Sequence, residues 1–463
     1  MASPTAVLRP LKGPCDITKE WLQDMLCRKD GWQVIVHFHR METPESEEGY
    51  LSEIRFLWIK YYRHDGSSHE RHLVFKFLPV LQSKRHFVLN ENVGKREVNV
   101  NRFFISEELS TLCRIHGVRL PVPGVYYAGV GPDALTLVLQ DMRKDGFQNI
   151  PSTHGINFQQ TVTALRTIAV IHAVGLTYLE LHGIESLSKH IPELSSVDAF
   201  LDTYLLSGLR RLASLYEGTS IAEVLRALSG VAGRLRLPSA DVRLPSTLIH
   251  GDLWAGQLMY SEDQSQVSIL DWQFASTGSQ ATDIVSLLLM SSEAEVYEDH
   301  LTEALSSYWH SFTSTLKVFK RPPSLAFEDL LDAVDKSWQV GFVMLMTSLE
   351  SHLDQGKITE GRAKRVVAFL NRKGIFEAAL GNRCNVIFHT LSMYSNLIFR
   401  YMPSPSEIND DDNTNVEVAW CLPRGAAVKE STVKVTGFSQ DTVKVTPTKK
   451  NQESLPWDSK TKH

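Results

Sequence analysis

The amino-acid sequence predicts an α+β fold in at least two lobes: a small, mainly antiparallel sheet followed by a larger helical part. Three observations carry this. At 463 residues the chain is longer than a single hydrophobic core usually grows. From Gln33 to Leu139 the apolar residues fall in short β-branched and aromatic runs separated by turn signals. From about residue 158 to residue 380 they recur three and four positions apart, the period of a helix with one buried face.

Taken in order, "EIRFLWIKYY" (53–62) and "RHLVFKFLP" (71–79) read as strands, and the Asp-Gly-Ser core of the "RHDGSSHE" between them is a turn signal. "GKREVNVNRFFISEEL" (94–109) reads as one helix inserted in the sheet, with Val98, Phe103, Ile105 and Leu109 on its apolar face. "GVYYAGVGPDALTLVLQDM" (124–142) then gives two strands around a Gly-Pro-Asp turn. Helices are expected over 158–176, 196–218, 329–353 and 360–380. Strand signals return only at "LMY" (258–260) and "VSILDW" (267–272), a short hairpin that hangs Asp252 at one edge and brings Asp271 back toward it. Beyond about Pro403 the chain turns polar and acidic, which predicts a disordered tail, with the repeated TVKVT at 432–436 and 442–446 offering a marginal strand pair instead. The expected divisions are an extension with a leading helix (1–32), a first lobe (33–142), a helical lobe (143–402) and the tail (403–463).

Composition narrows the function classes. With 43% apolar and 22% charged residues this is an ordinary soluble globular chain. A net charge of −5 gives no global attraction to nucleic acid or to an anionic membrane, so neither is expected as a partner. Five cysteines without a CxxC pair point to neither a zinc site nor a disulfide framework. The N-terminus lacks a secretory pattern, and the apolar run "IVSLLLM" (284–290) falls far short of the roughly 20 residues that span a bilayer. A cytoplasmic protein is the expectation.

The chemistry centres on "HGDLWAGQ" (250–257), which matches the kinase loop H-R-D-L-x-x-x-N except that Gln257 stands at the amide position. Phosphoryl transfer needs a base for the hydroxyl, carboxylate and amide ligands for magnesium, and a lysine on the nucleotide phosphates. Asp252, Asp271 with Gln257, and Lys76 supply these in chain order, and Glu97 is the candidate partner for an ammonium set among Val74, Phe75 and Phe77. Asp271 follows "VSIL" and so arrives at a strand end, as the aspartate of D-F-G does. Singly, each residue has an ordinary reading: strand lysines usually face solvent, helix surfaces are rich in Glu, and His250 reads as a structural histidine. Their order and spacing together are what point to chemistry. The loop "ETPESEEGYLSEIRF" (42–56) has a single glycine, Gly49, and could set the amides of Tyr50, Leu51 and Ser52 near phosphates, or be a plain acidic turn. A metal-dependent hydrolase built on His250 and Asp252 would need further clustered ligands, and the 17 histidines provide none at recognisable spacing.

With those residues in place the chain resembles the ecdysteroid kinase-like family, also called CHK kinase-like, of the aminoglycoside and choline kinase superfamily. "EGYLSEIRF", "VFKFLP", "REVNVNRFF", "LVLQDMRKDGF", "LRTIAVIHA", "LIHGDLWAGQLMY" and "SILDWQFASTGSQATDIVSLLL" carry the resemblance, in this order. It implies a bilobal protein-kinase-like fold with ATP and Mg between the lobes. Under it Asp252 is the catalytic base, Asp271 and Gln257 are metal ligands, and Lys76, held by Glu97, touches the phosphates. Gly49 and Ser52 belong to the loop over them, and "LQDM", with Gln140 and Met142, is the hinge against the adenine. Asp283 is implied to brace the catalytic loop, with a plain N-cap as the alternative.

Two positions depart from the family. Members usually carry Asn where Gln257 stands and Glu where Gln140 stands. Gln places the same carbonyl about an ångström further out, and a misplacement of that size can cost about a hundredfold in rate, or roughly 2.7 kcal/mol. The expectation is therefore an ATP- and Mg-dependent phosphotransferase acting on a small-molecule alcohol, steroid-like or otherwise lipophilic, with its rate lowered or retuned. The alternative is a pseudokinase that binds nucleotide or ligand and uses the tail to engage a protein partner the sequence does not specify.

Overall fold

Strand periodicity builds the first part of the chain. In the computed structural model, which describes residues 8–44, 51–195, 199–232, 244–381 and three strands beyond residue 416, strands β1 (Val34–Glu42), β2 (Glu53–Arg63), β3 (Ser68–Phe77), β4 (Val125–Val130) and β5 (Leu135–Gln140) form one antiparallel sheet in the order β1-β2-β3-β5-β4. Alternate residues go to opposite faces. Leu57, Ile59 and Tyr61 of β2 and Leu73, Phe75 and Phe77 of β3 therefore share one face, where Leu22, Met25 and Leu26 of α1 (Lys19–Asp30) complete a core. The other face, with Val125, Leu137 and Leu139, packs under α2 (Gln82–Asn90) and α3 (Val93–Phe104) through Val88, Val93 and Val98. Lys76 lies between Phe75 and Phe77 in sequence and opposite Leu137, so the strand period turns it toward α3.

Where one helix was expected between β3 and β4, the chain forms three, α4 (Glu107–Ile115) being the last. The 94–109 run breaks because Ser106 becomes an N-cap, its hydroxyl accepting from Leu109 N at 3.3 Å. The same kind of stop divides 329–353 into Phe327–Asp335 and Trp338–Asp354, and divides 360–380 at Gly374, whose φ is 71°. The helix expected over 196–218 runs Ala199–Ser214.

The helical part is organised on α5 (Phe158–His190), which opens with a capping box between Asn157 and Gln160 and kinks at Gly183. Among the described residues it is the one helix long and apolar enough to cross a membrane, and 78% of its apolar window is buried in the protein, as in a core helix. Helix Leu301–Val318 runs against α5, and Trp338–Asp354 lies on Gln280–Ser291. Two small sheets sit among these helices: β6 (Phe147–Asn149) pairs with β8 (Leu258–Ser261) and β8 with β9 (Val267–Ile269), while β7 (Thr247–Ile249) pairs with β10 (Ser276–Gly278). Residues 1–388 form one unit and 389–463 a second. In the second, both TVKVT runs lie on paired antiparallel strands, Val433–Ser439 and Thr442–Pro447, with Glu417–Val418 beside the first. The other residues of the expected disordered tail lie outside the described residues.

Candidate active site

The loop after β7 is held by one buried carboxylate. Asp283 accepts hydrogen bonds from His250 N at 2.6 Å and Gly251 N at 2.9 Å, and from His172 Nε2 at 3.1 Å. His172 in turn accepts at Nδ1 from the Tyr308 hydroxyl, 2.8 Å away. Burial alone would raise the Asp283 carboxyl, but the hydrogen bond and charge of His172, with His250, hold it below the usual range. Ser279 caps the helix Gln280–Ser291, so bracing the loop is the role left to Asp283. Gly251 has a φ of 79°, and a Cβ there would lie 2.2 Å from the Phe274 carbonyl oxygen, so no other residue fits. His250 donates from Nε2 to Leu270 O at 2.7 Å, which leaves Nδ1 to accept from Asp252 N at 3.2 Å. Burial lowers its pKa and keeps it neutral, so His250 is structural.

The β8–β9 hairpin sets the second carboxylate. Its register places Leu258 opposite Ile269, and Leu270 N donates to Gln257 O at 2.8 Å, so Asp271 emerges beside the Gln257 side chain. Asp271 holds a φ of 61°, a left-handed conformation that costs a non-glycine residue about 1–3 kcal/mol and clusters at functional sites. Its Oδ1 accepts from Lys76 Nζ at 2.8 Å. Its Oδ2 accepts from Gln257 Nε2 and from Gln273 Nε2, both at 3.2 Å. Gln257 Nε2 also lies 3.4 Å from Asp252 Oδ2, so the extra methylene reaches both carboxylates. Lys76 Nζ completes the set by donating to Glu97 Oε1 at 2.5 Å.

Electrostatics follow from this crowding. Burial pushes the Asp252 carboxyl up to about 7, helped by the Asp271 charge and opposed by the Gln257 hydrogen bond. Burial would raise Asp271 too, but the Lys76 ammonium wins and holds it down. Glu97, fully enclosed, is pushed up to about 7 by burial against the pull of the same ammonium. Lys76 is driven upward overall, because Asp271 and Glu97 outweigh its own desolvation. One cation thus serves two carboxylates while Asp252 has none. Two carboxylates and an amide oxygen are a donor set suited to a hard cation such as Mg, and rotating the Gln257 amide by half a turn presents its oxygen at the same place. The residues present fit that ion.

These groups open on a cleft of about 920 Å³. Ser52, Lys76, Asp252, Gln257 and Asp271 line one end of it, and Trp254, Met344, Thr347 and His352 the other. A more open hollow beside His182 and His190 contains none of them. Lys76, Glu97, Asp252, Gln257 and Asp271 are thus brought together, with Glu97 behind Lys76. The expected hinge side chains are placed elsewhere: Gln140 accepts from Gly124 N and donates to Asp145 Oδ2, and Met142 is buried at the start of a 3-10 turn, neither lining the cleft. Gly49 lies outside the described residues. Trp272 is a packing residue, 2% exposed against His250 and Phe104. Sequence reasoning missed Gln273 as a clamp on Asp271, although it sits two residues on in the quoted "LDWQ". It also missed His172 and Tyr308, whose only signal was a polar atom on an apolar helix face.

A bilobal chain with a lysine–glutamate pair, an HGD loop and a strand-end aspartate on one cleft has the plan of a small-molecule kinase. The ecdysteroid kinase-like family matches residues 46–321, more than half of the chain, and the chain belongs to that family. No functionally curated protein matches it. Among solved structures it is similar to an ethanolamine kinase of Plasmodium vivax (10% identity over 74% of this chain and 84% of that one, TM-score 0.36). It is also similar to a type I macrolide 2'-phosphotransferase (16%, 76% and 97%, TM-score 0.36). The choline kinase LicA of Streptococcus pneumoniae is a third (13%, 76% and 99%, TM-score 0.33).

Proposed function

We propose that this protein is a cytoplasmic phosphotransferase that uses ATP and Mg to phosphorylate a hydroxyl of a small, lipophilic alcohol. The observation that supports this most is the convergence of Asp252, Gln257, Asp271 and Lys76 on one cleft, with Asp252 alone lacking a cation. A carboxyl near 7 is matched to general-base work at neutral pH, where Asp252 would accept the acceptor hydroxyl's proton. Lys76, fixed from behind by Glu97, presents its ammonium to the nucleotide phosphates. Asp271 and Gln257 would hold Mg, which when bound neutralises charge on those phosphates. Gln273 keeps the Asp271 carboxylate turned toward the cleft. The test is a panel of hydroxylated metabolites with ATP and Mg. Phosphorylated product from wild type but not from Asp252→Asn is the expected result, and no product with no nucleotide hydrolysis above that variant would overturn the reading.

A second reading, a pseudokinase that binds ligand and serves as an interaction module, draws on one contact. The Gln257 amide nitrogen spans both carboxylates and can hold them together without a cation. Gln257→Asn separates the two: an enzyme slowed by the longer side chain gains up to about a hundredfold in rate. A binding module shows no turnover with either residue.

A further inference from the structure

The end of the cleft remote from Asp252 has a different character. His352 and Lys357 line it beside Trp254, with Lys357 Nζ 5.1 Å from the Trp254 ring centre and the His352 ring 4.4 Å from it. Among the described residues Lys357 makes no ion pair. Of the nearby carboxylates, Glu350 accepts from the Ser207 hydroxyl and Asp354 is exposed at the rim. Behind this wall lies Arg362, only 6% exposed. Its Nη1 donates to Ser152 O at 2.9 Å, and Ser152 itself lines the cleft, while Nε and Nη2 meet no hydrogen-bond partner. A guanidinium this enclosed is seldom left without a carboxylate. Buried water can satisfy its N–H groups but does not neutralise its charge. Burial, then Lys357, then Arg362 push the His352 imidazole down to about 4, which places both cations on the same ring and keeps that ring neutral.

We propose that this end of the acceptor site, walled by His352 and Lys357 over the buried Arg362, takes an anionic group, so that the alcohol carries a carboxylate or a similar anion besides its hydroxyl. The inference rests on the phosphotransferase reading of the cleft and names its substrate class: an amphipathic hydroxy acid. Its apolar middle lies on Trp254 and Met344, its hydroxyl at Asp252 and its anion at Lys357. Lys357 supplies the direct contact, and Arg362 supplies a fixed positive field from a poorly screened position.

The test uses the full chain with paired hydroxy acids and their neutral methyl esters on aliphatic, aromatic and sterol skeletons, with binding measured by calorimetry. Acids binding about tenfold tighter than their esters, with added salt weakening the acids and not the esters, is the expected result. Lys357 is exposed, so Lys357→Met folds, and it brings acid and ester to within about threefold of each other. Equal binding of acids and esters across the panel, or an unchanged ratio in Lys357→Met, overturns the inference. Stabilisation by Mg and ATP, measured alongside, keeps the two readings apart. If it persists without acid preference, only the anionic subsite falls; acid preference without phosphate transfer removes the phosphotransferase and leaves the subsite.

Discussion

Asp252 ought to make the protein less stable as pH rises, and its removal ought to show it. The carboxyl has an ordinary value of 3.8 and is pushed up to about 7 in the fold. A raised carboxyl stabilises the native state while protonated, and that contribution is lost as pH climbs from 3.8 through 7. Between pH 5 and pH 8 the unfolded chain releases its proton over nearly the whole interval, and the folded one only above 7. Integrating the difference at 1.36 kcal/mol per pKa unit gives a loss of about 2.6 kcal/mol in wild type that Asp252→Asn cannot suffer. The stability gap between variant and wild type should therefore widen by about that much, or by at least 1 kcal/mol once water in the cleft screens the charge. With about 2.1 cal/mol/K of unfolding entropy per residue across the unit spanning residues 1–388, the gap in Tm grows by about 3 °C. Urea unfolding of both proteins in EDTA at pH 5 and 8 measures it. A gap that stays constant or narrows would refute the burial and charge argument for Asp252.

Three further outcomes follow from contacts. Lys76→Met leaves Glu97 and Asp271 facing each other without their shared cation, which should cost about 3–5 kcal/mol in urea unfolding, more at pH 8 than at pH 5. A loss under 1 kcal/mol would show the pair is not held by that ammonium. Asp283→Ala removes the acceptor of His250 N and Gly251 N and strands His172, so a loss of about 3 kcal/mol or more is expected, together with any turnover the wild type shows. Gly251→Ala forces a Cβ onto the Phe274 carbonyl at a φ of 79° and should cost more than about 2 kcal/mol, and a neutral result by thermal unfolding would mean the loop relaxes freely.

Much of the fold could be read from the chain because its period changes once, from two in the sheet to 3.6 in the helical part. Where that reading went astray, a local stop signal outweighed apolar continuity: Ser106 and Gly374 each end a helix that hydrophobic spacing alone would carry through. The site was legible to the extent that its members belong to short motifs. Gln140 was misjudged because a strand-end side chain can turn either way, and here it is tied to Gly124 and Asp145.

By itself the sequence determined which groups are available: an ammonium at 76, carboxylates at 97, 252, 271 and 283, and an amide one methylene longer than its relatives carry at 257. Only the tertiary structure decided which of them share a charge, because proton affinity depends on what is packed within a few ångströms and that includes residues far apart in the chain. Lys76 and Asp271 are separated by 195 positions and meet at 2.8 Å, and Lys357 and Arg362 become a pair of cations at one end of a cleft only once two helices fold against it.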